Sequence, residues 1–229
     1  MVLADISAEQ LEAASASLAS DAVETVVLDV TDAAGNEACA AALWGAHKDV
    51  AFVFLNAGIT YAKSGWSAAW ETDVEDFERV LDIDLMGVVH GLKAWMPRLL
   101  ARPADSAPTS IVSTASIAGL VNCSNVTNIS YQIAKHGVVL LMESVHASLR
   151  DEAQKGHDTN IQAHVLCPSG TATNIFQATL DTAKGEKDNA DAEKLRKGGS
   201  VIAIPPELLI DRLVEGIDRD IFYIVSSRM

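Results

Sequence analysis

Short apolar strands alternate with helix-like segments along the whole chain, and this alternation restricts the possible folds more than any other feature. Strands separated by single helices are typical of parallel βαβ units, whose buried strands need a crossover connection. The sequence therefore predicts an α/β fold in one domain, a doubly wound parallel sheet with helices on both faces. The predicted strands cover residues 1–5, 23–28, 50–55, 110–113, 161–166 and 221–225.

The helical segments follow from apolar periodicity and from capping residues. Ser7, with Gln10 three residues later, indicates a capping box at the first helix. A polar segment over 174–200 has a length typical of a mobile lid. The predicted helices cover residues 7–20, 33–44, 74–100, 131–151 and 206–216.

The composition excludes several classes of function. A length of 229 residues with 49% hydrophobic content suits one domain with a substantial core. The formal net charge of −14 argues against nucleic acid as a partner, because a phosphate backbone would be repelled. No apolar run is long enough for a membrane span and no signal segment is present, so we expect a soluble, cytoplasmic protein. The three cysteines are widely spaced and the histidines lack a ligand motif, so no disulfide or metal site is predicted.

The candidate chemistry centres on Tyr131 and Lys135, which lie one above the other on one helix face. A nearby ammonium favours the phenolate, so the pairing predicts a lowered pKa for Tyr131 and proton transfer near neutral pH. Ser116 is predicted to lie just past the end of a strand. Each piece alone is weak evidence, since such a tyrosine is more often a packed aromatic and such a serine is usually a cap.

Polar or turn residues also follow the predicted strands where each strand ends. In a doubly wound sheet, ligands bind at the carboxyl ends of the strands. The sequence therefore predicts one ligand site assembled at this edge of the sheet. The residues concerned are Asp5, Asp29, Asn56, Ser116 and Pro168.

The order of these features carries a family resemblance. A strand, a hydroxyl-rich loop with Ser116, the helix with Tyr131-x-x-x-Lys135, a further strand and Cys167-Pro168-Ser169-Gly170 follow one another. In this order the chain resembles the short-chain dehydrogenase/reductases, a Rossmann-like family, over about residues 2–225.

The resemblance implies catalytic roles for three residues. Tyr131 matches the catalytic acid/base of the family. Lys135 matches the lysine that lowers the tyrosine pKa and holds the nicotinamide ribose, and Ser116 matches the serine that steadies the substrate oxygen.

The resemblance also implies a dinucleotide site. Asp5 matches the acid that binds the ribose hydroxyls, and its charge would repel a 2′-phosphate, which favours NAD over NADP. The other implied contacts are those of Asp29 and Val30 with the adenine, Asn56, Ala57 and Gly58 along the cofactor, Pro168 and Ser169 at the nicotinamide, and Thr171 and Thr173 at the carboxamide and phosphates.

Three features depart from the family pattern. Asp84 stands where the family usually has an asparagine of a water-mediated proton relay, and an ionised carboxylate there cannot donate a hydrogen bond. Ser169 replaces a glycine, so we expect its side chain to crowd the cofactor. The loop between Ser116 and Tyr131 is about two residues longer than the family norm, which we expect to alter substrate shape more than chemistry.

The sequence lacks the strand and glycine-rich turn that open such a dinucleotide site. Its first strand already ends in Asp5, so we interpret the chain as beginning about one βα unit late, through a late-assigned start or as a fragment. In the doubly wound order the missing strand is central, so two sheet edges are expected to be open.

Two functions remain open on the sequence. The first is an oxidoreductase that transfers hydride between NAD(P) and a small-molecule secondary alcohol or ketone. The second is a non-catalytic scaffold or partner subunit, favoured by the missing turn and by Asp84. By analogy with the family, self-association as a homodimer or homotetramer through the helices at 74–100 and 131–151 is expected. A serine hydrolase is disfavoured because no Gly-x-Ser-x-Gly motif is present.

Overall fold

Six strands alternate with six α-helices in the part of the chain that the computed structural model describes, residues 1–47, 49–60, 68–103, 105–123, 128–157, 159–171, 173, 175 and 204–226. The strands are β1 (Val2–Asp5), β2 (Glu24–Val27), β3 (Phe52–Leu55), β4 (Thr109–Thr114), β5 (Ile161–Cys167) and β6 (Tyr223–Val225). The helices are α1 (Ala8–Leu18), α2 (Ala33–His47), α3 (Val74–Leu81), α4 (Gly87–Leu100), α5 (Ile129–Gln154) and α6 (Pro206–Asp218).

Every strand pair in these elements is parallel, which confirms the predicted α/β class. The strands form a two-stranded sheet, β1-β2, and a four-stranded sheet in the order β3-β4-β5-β6. Among the described strands, β1 and β3 each pair on one side only. The same holds for β2 and β6, the other end strands of these two sheets.

Helix α5 forms the core together with the central strands. Val138 and Met142 are fully buried on its inner face, in one cluster with Ile111 of β4 and Val165 of β5. This apolar face holds the helix on the sheet and thereby fixes the orientation of the polar residues beside it.

Two capping residues fix where the first and the central helix begin. Ser7 is the N-cap of α1, where its hydroxyl accepts a hydrogen bond from the Gln10 N–H at 3.2 Å. Asn128 is the N-cap of α5 and accepts from the N–H and the hydroxyl of Ser130, both at 2.9 Å. The cap places Tyr131 in the first turn of α5.

The helix predicted over 74–100 is interrupted. A turn of π-helix, Asp82–Met86, separates α3 from α4. The wider turn changes the helical phase, and its middle residue, Asp84, is fully buried. Hydrophobic periodicity alone did not indicate this interruption, because apolar residues continue on both sides of Asp84.

Several predicted segments fall largely on undescribed residues. The predicted lid at 174–200 lies outside the described residues except for Ile175. The loops at 60–70 and 122–128 include the undescribed ranges 61–67 and 124–127.

Candidate active site

The candidate residues come together at the carboxyl ends of the strands. Asn56 follows β3, Ser116 lies two residues after β4 and Pro168 follows β5, and these strands are adjacent in one sheet. Thr114 at the end of β4 donates its hydroxyl to Asn56 Oδ1 at 2.8 Å, which ties the first two of these strand ends together. The edge predicted from the sequence therefore exists around β3, β4 and β5.

Tyr131 and Lys135 lie one turn apart on α5, and both are buried. Their exposed fractions are 7% and 2%, and the Lys135 Nζ lies 5.5 Å from the centre of the Tyr131 ring. The helical spacing thus brings the phenol and the ammonium into one enclosed space, as the sequence predicted.

Ser116 has a structural role and is also a candidate for a chemical role. Its Oγ accepts from the Ala118 N–H at 3.2 Å and caps the short 3₁₀ turn Ile117–Gly119. The same hydroxyl lies 3.5 Å from the Pro168 carbonyl oxygen. Burial raises the pKa of Tyr131, and a side-chain hydrogen bond with Ser116 acts in the opposite direction. Ser116 therefore connects the strand end to the phenol.

Lys135 is held by contacts from three elements. Its Nζ donates to the Thr114 carbonyl oxygen at 3.1 Å and lies 3.1 Å from Asp84 Oδ2. A Cβ added at Gly58 would lie 3.0 Å from this Nζ, so the chain after β3 packs directly on the ammonium. Since an ammonium has three N–H donors, Lys135 keeps donor capacity for a further acceptor beyond the Thr114 carbonyl oxygen.

The electrostatics correct one prediction. Burial is the largest influence on Tyr131 and raises its pKa above the ordinary value of 10.0. The Lys135 charge and the Ser116 hydrogen bond act in the predicted, lowering direction but are outweighed. Because desolvation disfavours an anion, the phenol is protonated at neutral pH in this structure. The predicted net lowering of the Tyr131 pKa is therefore wrong.

Asp84 is also part of this cluster. In the sequence it stood out only because it occupies a position where the family usually has an asparagine. Its side chain is fully buried, and Oδ1 accepts from the Ile59 N–H at 2.8 Å. Burial raises the Asp84 pKa, while the Lys135 charge lowers it. The sequence signal was available, because an acid within an apolar helix face requires a buried partner.

The first group of candidate cofactor residues lies at β1 and β2. Asp5 is exposed, and its Oδ1 accepts from the Ser7 N–H at 2.8 Å. The Asp29 carboxylate accepts from the N–H and the hydroxyl of Thr31, which lowers its pKa. The Val30 carbonyl oxygen lies 3.1 Å from both Asn36 Nδ2 and His90 Nδ1, so this turn is fastened to α2 and α4.

The second group lies beyond β3 and β5. Ala57 and Gly58 continue from Asn56 toward Lys135. The Ser169 N–H donates to Ser226 Oγ at 2.7 Å, and the Ser169 Oγ lies 2.8 Å from the same oxygen. The Ser169 side chain is thus fastened to the end of β6. Thr171 donates its hydroxyl to the Ser169 carbonyl oxygen at 3.1 Å, and Thr173 donates its N–H to the Thr171 carbonyl oxygen at 2.8 Å.

Comparison with a family model decides the family. The model described as short chain dehydrogenase matches residues 1–184. The chain belongs to the short-chain dehydrogenase family. Membership places its chemistry among the NAD(P)-dependent dehydrogenations of alcohols and reductions of ketones.

Individual relatives of this short-chain dehydrogenase are moderately similar. It is 30% identical over 202 residues to 1-deoxy-11-beta-hydroxypentalenate dehydrogenase of Streptomyces avermitilis, covering 84% of this chain and 69% of the relative. It is 32% identical over 181 residues to 2-dehydro-3-deoxy-L-rhamnonate dehydrogenase (NAD(+)) of a Sphingomonas species, covering 79% and 67%. The chain spans between 30% and 69% of the length of the first curated relatives that it matches.

A solved structure gives the same result for the fold. A short-chain dehydrogenase/reductase from Burkholderia phymatum in complex with NAD superposes with a TM-score of 0.83 at 26% identity. The match covers 98% of this chain and 79% of the other.

The donor set of this short-chain dehydrogenase fits a dinucleotide cofactor. The remaining N–H of Lys135 suits a ribose hydroxyl, and the exposed Asp5 carboxylate at the end of β1 suits a pair of ribose hydroxyls. Among the described residues, no cluster of three or more potential metal ligands is present. In the same part of the chain, no helix has the length and hydropathy needed to cross a membrane.

Proposed function

We propose that this chain transfers hydride between NAD and a secondary alcohol or ketone, with Tyr131 as the acid/base. The observation that carries the proposal is the convergence of Ser116, Tyr131 and Lys135 in one buried cluster at the carboxyl ends of β4 and β5. The relatives named above as dehydrogenases support the reaction class. The substrate is a small molecule, and no residue described here selects one compound.

Each of the three side chains has a distinct role in this proposal. The Tyr131 hydroxyl donates its proton to a carbonyl oxygen, or removes one from an alcohol. The Ser116 hydroxyl holds the substrate oxygen beside the phenol. Lys135 stabilises the phenolate that forms and binds a ribose hydroxyl through its remaining N–H. A bound nicotinamide supplies or accepts the hydride.

The raised pKa of Tyr131 gives the two directions of reaction different pH dependences. A protonated phenol is ready to donate, so ketone reduction proceeds at neutral pH. Alcohol oxidation requires the phenolate, so its rate rises as the pH approaches the Tyr131 pKa.

The decisive experiment compares two tyrosine variants. Tyr131→Phe removes one hydroxyl and should reduce turnover of a secondary-alcohol panel by about 10²–10⁴-fold, the usual contribution of general acid–base catalysis. Tyr223→Phe makes the same chemical change at a partly exposed position on β6 and should retain activity. Full turnover in folded Tyr131→Phe would eliminate the mechanism.

The preference for NAD rests on Asp5. Its carboxylate would repel a 2′-phosphate, so Asp5→Ser should improve use of NADP relative to NAD. Asp21→Ser is the control, because it removes an exposed carboxylate in the turn before β2. Asp21 precedes the amino end of β2, whereas Asp5 lies at the carboxyl end of β1, so this variant should leave the ratio of NADP to NAD use unchanged. An unchanged cofactor ratio in both variants would contradict the assignment of Asp5.

The alternative is a non-catalytic scaffold, and the unpaired edges of β1 and β3 are the observation that favours it. Calorimetric titration of NAD into the chain separates the two functions. Micromolar binding contradicts the scaffold, whereas undetectable binding contradicts the oxidoreductase.

We also propose a homodimer or homotetramer formed through α4 and α5. A cavity of about 200 Å³ lies between these helices, with Met96, Leu100, Leu141 and Val145 among its lining residues. Leu140 of α5 is 68% exposed and Leu100 of α4 is 46% exposed, so large apolar side chains of both helices face outward.

A further inference from the structure

The mechanism above uses the positive charge of Lys135, yet the nearest carboxylate to that charge has no role in it. Asp84 Oδ2 lies 3.1 Å from Lys135 Nζ, and both side chains are almost completely buried. Two buried groups of opposite charge at this distance interact strongly, because little water screens them. Any property of the site that depends on the Lys135 charge therefore also depends on Asp84.

The local backbone holds Asp84 in this position. It lies in the π-helical turn Asp82–Met86, and the Ile59 N–H donates to its Oδ1 at 2.8 Å. A Cβ added at Gly58 would lie 3.1 Å from its Oδ2, so the neighbouring chain leaves the carboxylate little freedom to move. The geometry of the ion pair is thus fixed by two separate elements, the turn after α3 and the chain after β3.

The ammonium consequently faces two acidic groups at once. Its Nζ lies 5.5 Å from the centre of the Tyr131 ring and 3.1 Å from Asp84 Oδ2. We propose that Asp84 is a positioning residue that holds the Lys135 ammonium and offsets its charge, so that Tyr131 keeps its proton to higher pH than it would beside Lys135 alone. This proposal rests on the proposed function, since it assigns the proton exchange to Tyr131.

The other groups around Tyr131 are consistent with this division of charge. Among the described residues, the titratable groups that act on it are Lys135 on α5, Asp84 from the π-helical turn and Cys123 from the loop before α5, and Ser116 shares a hydrogen bond with it. Lys135 and Ser116 lower the pKa of Tyr131, whereas Asp84 and Cys123 raise it. Asp84 is also the residue whose contact raises the pKa of Lys135 most.

The test is a titration that needs no turnover. The chain has three tyrosines, so the ultraviolet tyrosinate signal of the parent minus that of Tyr131→Phe isolates the ionisation of Tyr131. The same difference is then measured in the Asp84→Asn background. We expect the Tyr131 midpoint to fall by about one pH unit or more when the negative charge is removed.

A matched control distinguishes the effect of the buried contact between Asp84 and Lys135 from the effect of a change in net charge. Asp82→Asn changes the same charge two residues away, at an exposed position of the same turn, and should leave the Tyr131 midpoint in place. An unchanged or higher midpoint in Asp84→Asn, or an equal shift in Asp82→Asn, overturns the proposal. Circular dichroism across the titration confirms that each variant is folded.

The asparagine variant turns an N–H toward the ammonium and can fail to fold, so Asp84→Ser serves as a second neutral variant that keeps an acceptor for Ile59. A Tyr131 midpoint in the parent at or below 10.0 would contradict the raised pKa of the buried phenol, whereas the shift in Asp84→Asn decides the role of Asp84. Where turnover is measured, alcohol oxidation should reach its plateau at lower pH in Asp84→Asn. A parent without turnover but with the expected midpoint shift refutes the proposed function and leaves the role of Asp84 standing.

Discussion

The backbone at Gly58 packs directly against the side chain of Lys135. A Cβ built on Gly58 would lie 3.0 Å from Lys135 Nζ and 3.1 Å from Asp84 Oδ2, closer than ordinary van der Waals contact. These three residues come from different elements, and each restricts the others. The position of the ammonium is therefore determined by a glycine far from it in sequence.

The first prediction concerns this contact. Gly58→Ala should displace the Lys135 and Asp84 side chains and destabilise the chain by about 1–3 kcal/mol, the usual cost of overpacking. Gly45→Ala is the control, because a Cβ there meets nothing within 4 Å and Gly45 lies inside α2. It should stabilise the chain by about 0.5–1 kcal/mol. Urea unfolding measures both, and equal stability of the two variants would contradict the packing argument.

The second prediction removes the cation from the ion pair. Lys135→Met leaves the Asp84 carboxylate buried without its counter-charge, so we expect a loss of about 3–5 kcal/mol in the free energy of unfolding at neutral pH. The loss should shrink at acid pH, where Asp84 becomes protonated. Lys93→Met, at an exposed position on α4, should change stability by less than about 0.5 kcal/mol. Adding Asp84→Leu to Lys135→Met should recover much of the loss, and failure to recover would show that the charge is not the cause.

The sequence was sufficient for the features that depend on local pattern. The alternation of strands and helices, the N-cap at Ser7 and the spacing of Tyr131 and Lys135 were all predicted, and the structure contains them. Each follows from residues within one or two helical turns of one another. The parallel arrangement was also predictable, because single helices between buried strands leave few other topologies.

The features that the sequence did not predict depend on distant residues. The ion pair of Asp84 with Lys135 brings together segments about fifty residues apart. The π-helical turn Asp82–Met86 holds Asp84 in place for this contact. The net direction of the Tyr131 pKa shift depends on how deeply α5 buries the phenol, which spacing alone does not reveal. The sequence therefore identifies the groups that act on the Tyr131 pKa, while the structure is needed to decide whether burial or the Lys135 charge has the larger effect on it.

The third prediction concerns acid stability. His164 on β5 is fully buried, its Nδ1 lies 2.9 Å from the Ile221 carbonyl oxygen, and burial lowers its pKa below 6.5. Asp220 opposes this shift and His146 adds to it. A base with a lowered folded pKa stabilises the fold above its unfolded pKa and loses that contribution as the pH falls below 6.5.

His164→Asn keeps a donor for the Ile221 carbonyl oxygen but does not titrate. The variant should therefore lose less stability than the parent as the pH falls below 6.5, whatever its stability at neutral pH. Urea unfolding across this range measures the slopes, and parallel curves for His164→Asn and the parent would refute the assignment.

The fourth prediction tests the proposed self-association. Leu140→Glu places a charge on the exposed apolar face of α5 and should convert the oligomer to smaller species in light scattering. Leu208→Glu makes the same change at an exposed position of α6, away from the α4 and α5 surface, and should leave the oligomer intact. A strictly monomeric parent would count against the proposed interface.

The last prediction concerns alkaline pH and Tyr223. Its hydroxyl donates to the Glu143 carboxylate on α5, and this hydrogen bond is the largest cause of a pKa raised to about 12. An acid whose folded pKa is raised keeps its proton in the native chain after the unfolded chain has lost it. Stability therefore falls as the pH rises from 10.0 toward about 12.

Removing the carboxylate charge should reverse this shift. Glu143→Gln should return the Tyr223 titration toward 10.0, as measured by the tyrosinate absorption of each chain minus that of its Tyr223→Phe counterpart. Glu152→Gln removes a partly exposed carboxylate on the same helix that contacts Lys155 and His157 instead, and should leave the Tyr223 titration near 12. Because the ionised tyrosine would face a neutral amide, the Glu143→Gln chain should also lose less stability across this alkaline range. A Tyr223 titration that stays near 12 in Glu143→Gln would show that the hydrogen bond between β6 and α5 does not hold the proton.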